Sequence, residues 1–310
     1  MILCCGEALI DMIPTSMPDG RAGFVPYSGG AVFNTAIALG RLGSQVALLT
    51  GLSSDMFGAQ LLGDLAASNV ARDYLVSTHR PTTLAFVQLV QGDARYAFFD
   101  ENSAGRLLTI EDMPTPSEEI NALFFGGISL VCEPASDAYL SYAQRQGDTR
   151  VVMLDPNIRP AFIQNEDTYR ARLEQMLTVT DILKVSDEDM EWICPGTAQL
   201  ADKVAQLKAK GPDCVIITKG SKGTEAYLPK GEHIIVDAPK VTVVDTVGAG
   251  DTFNAGVLAR LQSSGNLTKA NLASLHLKTW EEALRHAANA AAITVSRSGA
   301  NPPWSKELQK

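Results

Sequence analysis

Short apolar runs alternate along this chain with stretches of helical period. Residues 1–13 (MILCCGEALIDMI), 45–52 (QVALLTGL), 122–129 (ALFFGGIS), 150–157 (RVVMLDPN), 181–186 (DILKVS) and 214–220 (CVIITKG) read as strands buried on both faces. Between them lie helical patterns. AVFNTAIALGRLG (31–43) is closed by Gly43, and a second helix is expected from Met56 to Asn69. Continuous apolar strands separated by helices predict an α/β fold with a mostly parallel sheet covered on both faces.

Two stretches break that rhythm: GRAGFVPYSGG from Gly20, and TTLAFVQLVQGDARYAFFDENSAG from Thr82. They hold strands without an intervening helix, the second as a hairpin turning at QGDA. A small extra sheet is expected, with strands at about 12–28 and 82–104. It suits a lid over a site, a contact in a homodimer, or both. With no linker or repeat, residues 1–310 read as a single domain.

Composition narrows the function classes. The 310 residues are 45% hydrophobic and 20% charged, which is enough apolar material for a large core. A formal net charge of -9 argues against a nucleic-acid partner or an anionic membrane surface. The five cysteines (4, 5, 132, 194 and 214) form no C-x-x-C pair and read as buried thiols of a reducing cytoplasm. Neither a metal-binding histidine pattern, a signal peptide nor a membrane-length apolar run is visible.

The segment KVTVVDTVGAGDTFNAGVLARLQ (240–262) carries the sharpest chemistry. Val241 to Val244 read as a strand and Thr252 to Gln262 as a helix, so the glycines sit at the turn between them. Free amides at a helix start, aided by its dipole, can cradle an anion. Asp251 could merely cap that helix, but a cap has no need of Gly248 and Gly250. A carboxylate beside an anion site makes sense if it accepts a proton from whatever attacks the anion. Two other phosphate motifs are excluded. G-x-x-x-x-G-K-[ST] is absent, and in GAGDTF Phe253 occupies the third glycine position of a dinucleotide fingerprint.

SGGAVFNTAIALGRLG (28–43) and DTVGAGDTFNAGVL (245–258) resemble the two signatures of the PfkB, or ribokinase-like, carbohydrate kinases. The resemblance spans the chain through GEALIDMI (6–13), DPNIRP (155–160), ITKGSKG (217–223) and AANAAAITVSRSGAN (287–301). It implies a ribokinase-like three-layer α/β/α fold with a small β-sheet lid, and ATP-dependent transfer of a phosphoryl group to a sugar hydroxyl. Asp251 would be the general base, and the amides of Gly248, Ala249 and Gly250 the anion hole. Asp11, Gly29, Gly30 and Asn34 match positions that hold sugar hydroxyls, and Arg159 could reach a phosphate or a hydroxyl. Thr218, Gly220, Gly223 and Asn289 match the nucleotide site. Most have a plainer alternative: a turn before a helix for Gly29 and Gly30, a strand-ending loop for Thr218, Gly220 and Gly223, a rigid proline-flanked loop for Arg159, a polar place on a helix face for Asn34, and capping or packing for Asn289.

Mg2+ is implied with ATP. Where relatives carry N-x-x-E in support of a magnesium–water network, this chain has Ser186 and Asp189. K+ stays open near Asp245 and the SRSGAN loop. Within the family the chain is most similar to fructokinases, which implies D-fructose as acceptor and fructose 6-phosphate as product. Asp100, Glu101 and Asn102 are expected to meet neutral hydroxyls there. The alternatives are a 2-keto-3-deoxygluconate kinase, for which Arg95, Arg106 and Arg159 supply cations, a nucleoside kinase, or a silent sugar-binding sensor.

Overall fold

The computed structural model describes residues 1–90 and 93–308, and the side chains of 88–95 lie outside that description. Seven strands form a parallel sheet: β1 (Ile2–Cys5), β4 (Val46–Ser53), β5 (Leu75–Thr78), β8 (Ala122–Gly126), β9 (Val151–Asp155), β10 (Ile182–Ser186) and β11 (Cys214–Thr218). An antiparallel pair, β12 (Thr224–Tyr227) and β13 (His233–Val236), completes a nine-stranded sheet in the order β13-β12-β11-β10-β9-β8-β1-β4-β5. A second sheet, ordered β3-β2-β6-β7, is built from β2 (Leu9–Ser16), β3 (Ala22–Gly29), β6 (Leu84–Val90) and β7 (Asp93–Phe99). It occupies the place expected for the lid. The turn expected at 91–94 includes Gln91 and Gly92, which are outside the described residues.

Strand alternation sorts the core into two layers. Ile2, Leu48, Phe124, Met153 and Ile216 face one way, against α1 (Ala31–Arg41), α2 (Met56–Ala67), α7 (Ala249–Ser263), α8 (Lys269–Leu272) and α9 (Leu277–Val295). Leu3, Leu49, Phe125, Leu154 and Val215 face the other, against α3 (Ala135–Gln146), α4 (Glu166–Leu177), α5 (Asp187–Ile193) and α6 (Leu200–Lys208). These are the expected three layers.

Four local expectations change. Residues 1–13 are two strands: β1 lies in the large sheet and β2 in the small one, parted at Gly6, where an added Cβ would meet Val32 Cγ2 at 2.5 Å. β11 is followed by a hairpin to β12 instead of a helix, because Gly220 (φ 53°) and Gly223 (φ 90°) turn the chain back through a short 3-10 turn. β5, unexpected from the sequence, adds an edge beside β4. Val241–Val244 form no strand. Val244 and Asp245 donate to the Val295 carbonyl at the end of α9 (2.8 and 3.2 Å), and Val243 and Val244 are exposed. Their β-branched side chains favour strands, but the end of α9, not a sheet edge, takes the Val244 and Asp245 amides. The five cysteines are free: Cys4, Cys5 and Cys214 are buried, and Cys132 and Cys194 half-buried. Among the described residues no helix is long and apolar enough to cross a membrane.

Candidate active site

The large sheet changes direction at β1, which has β4 on one side and β8 on the other. Ligands of open α/β sheets bind beyond the carboxyl ends of strands at such a switch point. A cavity of about 310 Å³ lies there. Glu7, Gly127 and Asp155 enter it from the ends of β1, β8 and β9, and Asp251 from α7. Leu9, Asp11, Tyr96 and Phe98 enter it from the small sheet. The cavity is thus bounded by both sheets.

Asp251 lies in the first turn of α7, after an N-cap formed by Gly248, and its side chain caps no amide. Gly248 is in the left-handed region (φ 76°), where a glycine costs least. Asp251 is buried, and its Oδ2 accepts from Asn34 Nδ2 at 2.9 Å. Burial pushes its carboxyl up to about 7. Asn34 and Lys184 oppose that rise, and Asp155 and Glu7 add to it. The Ala249 amide donates to the Thr246 carbonyl at 3.3 Å; among the described residues the Gly250 and Asp251 amides have no protein acceptor. A buried carboxyl that titrates near neutrality therefore stands beside free helix-start amides.

Asp11, on β2, is raised to about 6 by burial. Gly29, on β3 opposite Leu9, has no room for a Cβ, which would collide with Asp11 Oδ2. Gly30 lines the cavity as the N-cap of α1. Glu7 Oε1 accepts from the Ala31 amide (2.9 Å) and Glu7 Oε2 from the Ser129 amide (3.2 Å), so one buried carboxylate joins the starts of two helical turns. Arg159 also lines the cavity, with Nη1 donating to the Asn157 and Ile158 carbonyls at 3.3 and 3.1 Å. Asp245 joins two loops: Oδ1 accepts from the Val247 amide (3.0 Å) and Oδ2 from the Gly299 amide (2.8 Å).

The cavity gathers Asp251, Gly248, Gly250, Asp11, Gly30, Asn34 and Arg159. Thr218, Gly220, Gly223 and Asn289 do not line it. The first three sit at the end of β11 and its turn, and Asn289 is exposed on α9, which packs against β13. Ser186 and Asp189 form a capping box at the start of α5, and Asp189 Oδ1 also accepts from the Ile158 amide at 2.9 Å, which fixes the DPNIRP loop. Asp100, Glu101 and Asn102 do not line the cavity: Asp100 is buried against Arg106 at 3.0 Å, and the other two are exposed. The Arg95 side chain is outside the described residues.

Four residues escaped the sequence reading. Glu7 lies within a quoted motif, and Tyr96 and Phe98 within the expected hairpin. Lys184 is a lysine in an otherwise apolar buried strand, which was a usable signal.

A three-layer fold with a cavity at its switch point, a near-neutral buried carboxyl and free helix amides is the architecture of a small-molecule phosphotransferase. The chain belongs to the pfkB family carbohydrate kinases, whose sequence model matches residues 1–307. It is 49% identical over 287 residues to a fructokinase of Rhizobium leguminosarum bv. trifolii, covering 92% of this chain and 86% of that one. With fructokinase-1 of Oryza sativa subsp. japonica the identity is 31% over 317 residues, covering 100% and 96%. The structure of Xylella fastidiosa fructokinase with bound ATP matches with a TM-score of 0.91 at 29% identity, over 99% of this chain and 97% of that chain. Aminoimidazole riboside kinase from Salmonella enterica (TM-score 0.83, 24% identity, covering 99% and 98%) shares the fold. The chain is a sugar kinase of ribokinase-like fold, a phosphotransferase with an alcohol acceptor.

Proposed function

We propose that this kinase transfers the γ-phosphoryl group of MgATP to D-fructose, giving fructose 6-phosphate and ADP. The observation that carries the proposal is Asp251, buried at the cavity wall beside amides with no protein acceptor. Its carboxylate would take the proton of the attacking hydroxyl as the new O–P bond forms and the bond to ADP breaks. The amides at the start of α7 would hold the transferring group. Asp11 and Asn34 would orient the sugar, with Gly29 and Gly30 leaving it room. Thr218, Gly220 and Gly223 at the end of β11, with Asn289 on α9, would take the nucleotide.

Mg2+ would arrive on the triphosphate. An ion that comes with a nucleotide is held mainly by phosphates and water. K+ would suit backbone carbonyls of the two loops that Asp245 joins. The five free thiols suit a reducing cytoplasm. The small sheet exposes Phe24, Tyr27 and Phe99, and a second copy of the chain is the partner proposed for that surface; sedimentation of a single species at monomer mass would refute it.

The experiment that tests the function is a coupled ADP-release assay over a sugar panel. Fructose should give the highest kcat/KM. 2-keto-3-deoxygluconate is the second candidate, favoured by Arg159, whose side chain among the described residues donates only to backbone carbonyls. A tenfold preference for that acid, about 1.4 kcal/mol, would replace fructose and leave the kinase standing. Fructose binding without turnover of any sugar would mark a sensor instead.

A further inference from the structure

Beneath the start of α7 lies a buried charged cluster, one member of which, Asp155, also lines the cavity. Lys184, on β10, is buried, and its Nζ donates to Asp155 Oδ2 at 2.9 Å. The same oxygen accepts from Asn254 Nδ2, on α7, at 2.7 Å. Asp155 Oδ1 and Asn254 Oδ1 are buried without hydrogen-bond partners among the described residues. A Cβ built on Gly250 would lie 3.2 Å from Lys184 Nζ. The missing side chain therefore opens the back of the anion hole to an ammonium, a second reason for a glycine there.

An ammonium in a low-dielectric site acts strongly on nearby charge. We propose that Lys184 is a positioning residue for phosphoryl transfer: held by Asp155 behind Gly250, its ammonium sets the charge balance at Asp251 and at the start of α7. The groups facing Lys184 are Asp155 on β9, Asp189 on α5 and Asp251 on α7. Burial works against its charge, and these three carboxylates keep it protonated. The groups facing Asp251 are Asn34, Asp155, Lys184 and Glu7; Lys184 lowers its carboxyl and Asp155 raises it. The two members of the ion pair thus pull the base in opposite directions.

That opposition supplies the test, which rests on Asp251 being the base and is read on fructose with MgATP. The acidic limb of kcat/KM against pH is measured for K184M, D155N and K184M/D155N. K184M should move the limb up by about half a unit or more and D155N should move it down, as loss of opposite neighbouring charges requires. The double variant should bring it back near the parent while lowering the plateau kcat about tenfold, since a fixed charge behind the phosphoryl group is gone. A purely structural pair would leave the limbs superimposed or shift both the same way, and either result overturns the proposal. Removing one member of a buried pair costs more than replacing both. Should K184M fail to fold, the double variant decides: a plateau kcat within twofold of the parent overturns the assignment. Turnover surviving in D251A would instead remove the base itself.

Discussion

At the scale of the residue, Asp251 joins two properties that usually oppose each other. In the proposed role its carboxyl would have to ionise to accept a proton, yet it is buried, and burial pushes it up to about 7. A general base acts in its ionised form, so under the proposed role kcat/KM should rise with pH through about 7; a flat profile between pH 5 and 8 would exclude the role. D251A should lower kcat by about 10²–10⁴-fold while fructose still binds, as calorimetry on the same preparation would show. D251N makes a sharper demand. The folded carboxyl titrates above its unfolded value, so its stabilising contribution is complete below the ordinary aspartate range and lost as pH rises through about 7. D251N escapes that loss. It should melt higher than the parent at pH 8, by on the order of a few kcal/mol, but not at pH 4. Glycines around one acid made the chemistry legible in the sequence. The partners that tune it were not, because Asn34 lies 217 positions away and Asp155 and Lys184 arrive on separate strands.

At the scale of the element, two glycines of α7 do different work. A Cβ on Gly256 would lie 2.5 Å from Ala287 Cα on α9, so this glycine lets two helices touch. G256A should cost about 1–3 kcal/mol of stability by overpacking and leave activity per folded molecule largely intact. G250V should do the reverse, abolishing turnover in protein that still folds, because its side chain would crowd Lys184 and the phosphate site. Melts run beside kinetics separate the two. Strand–helix alternation in the sequence revealed the large sheet and both flanking layers. It failed where local propensity competed with tertiary bonding. Val241–Val244 look like a strand, yet their neighbourhood offers the last carbonyl of α9. Residues 1–13 look continuous, yet Gly6 sends the chain from one sheet to the other.

At the scale of the whole molecule, the cavity exists only because the small sheet stands over the large one. Phe98, on β7, packs its ring 4.5 Å from that of Phe162, in the loop after β9. F98A should loosen that contact and raise the fructose KM by about two- to tenfold, in line with about 0.5–1.5 kcal/mol for an aromatic pair, with a smaller effect on kcat. Fructose at about 100 times its dissociation constant should stabilise the parent by about 2.7 kcal/mol, a shift that thermal melts would register. The loop joint made by Asp245 has a further consequence for anyone who recombines such genes. The loop before α7, proposed to hold phosphate, leans on residues about fifty positions downstream: Asp245 on Gly299, and Gly248 against Ala300, where a Cβ would come within 2.7 Å. A crossover placed between 250 and 298 would pair one parent's loop with the other's backstop. Chimaeras joined there should fold and yet turn over poorly, whereas those that inherit 245–301 as one block should keep the activity of the donor.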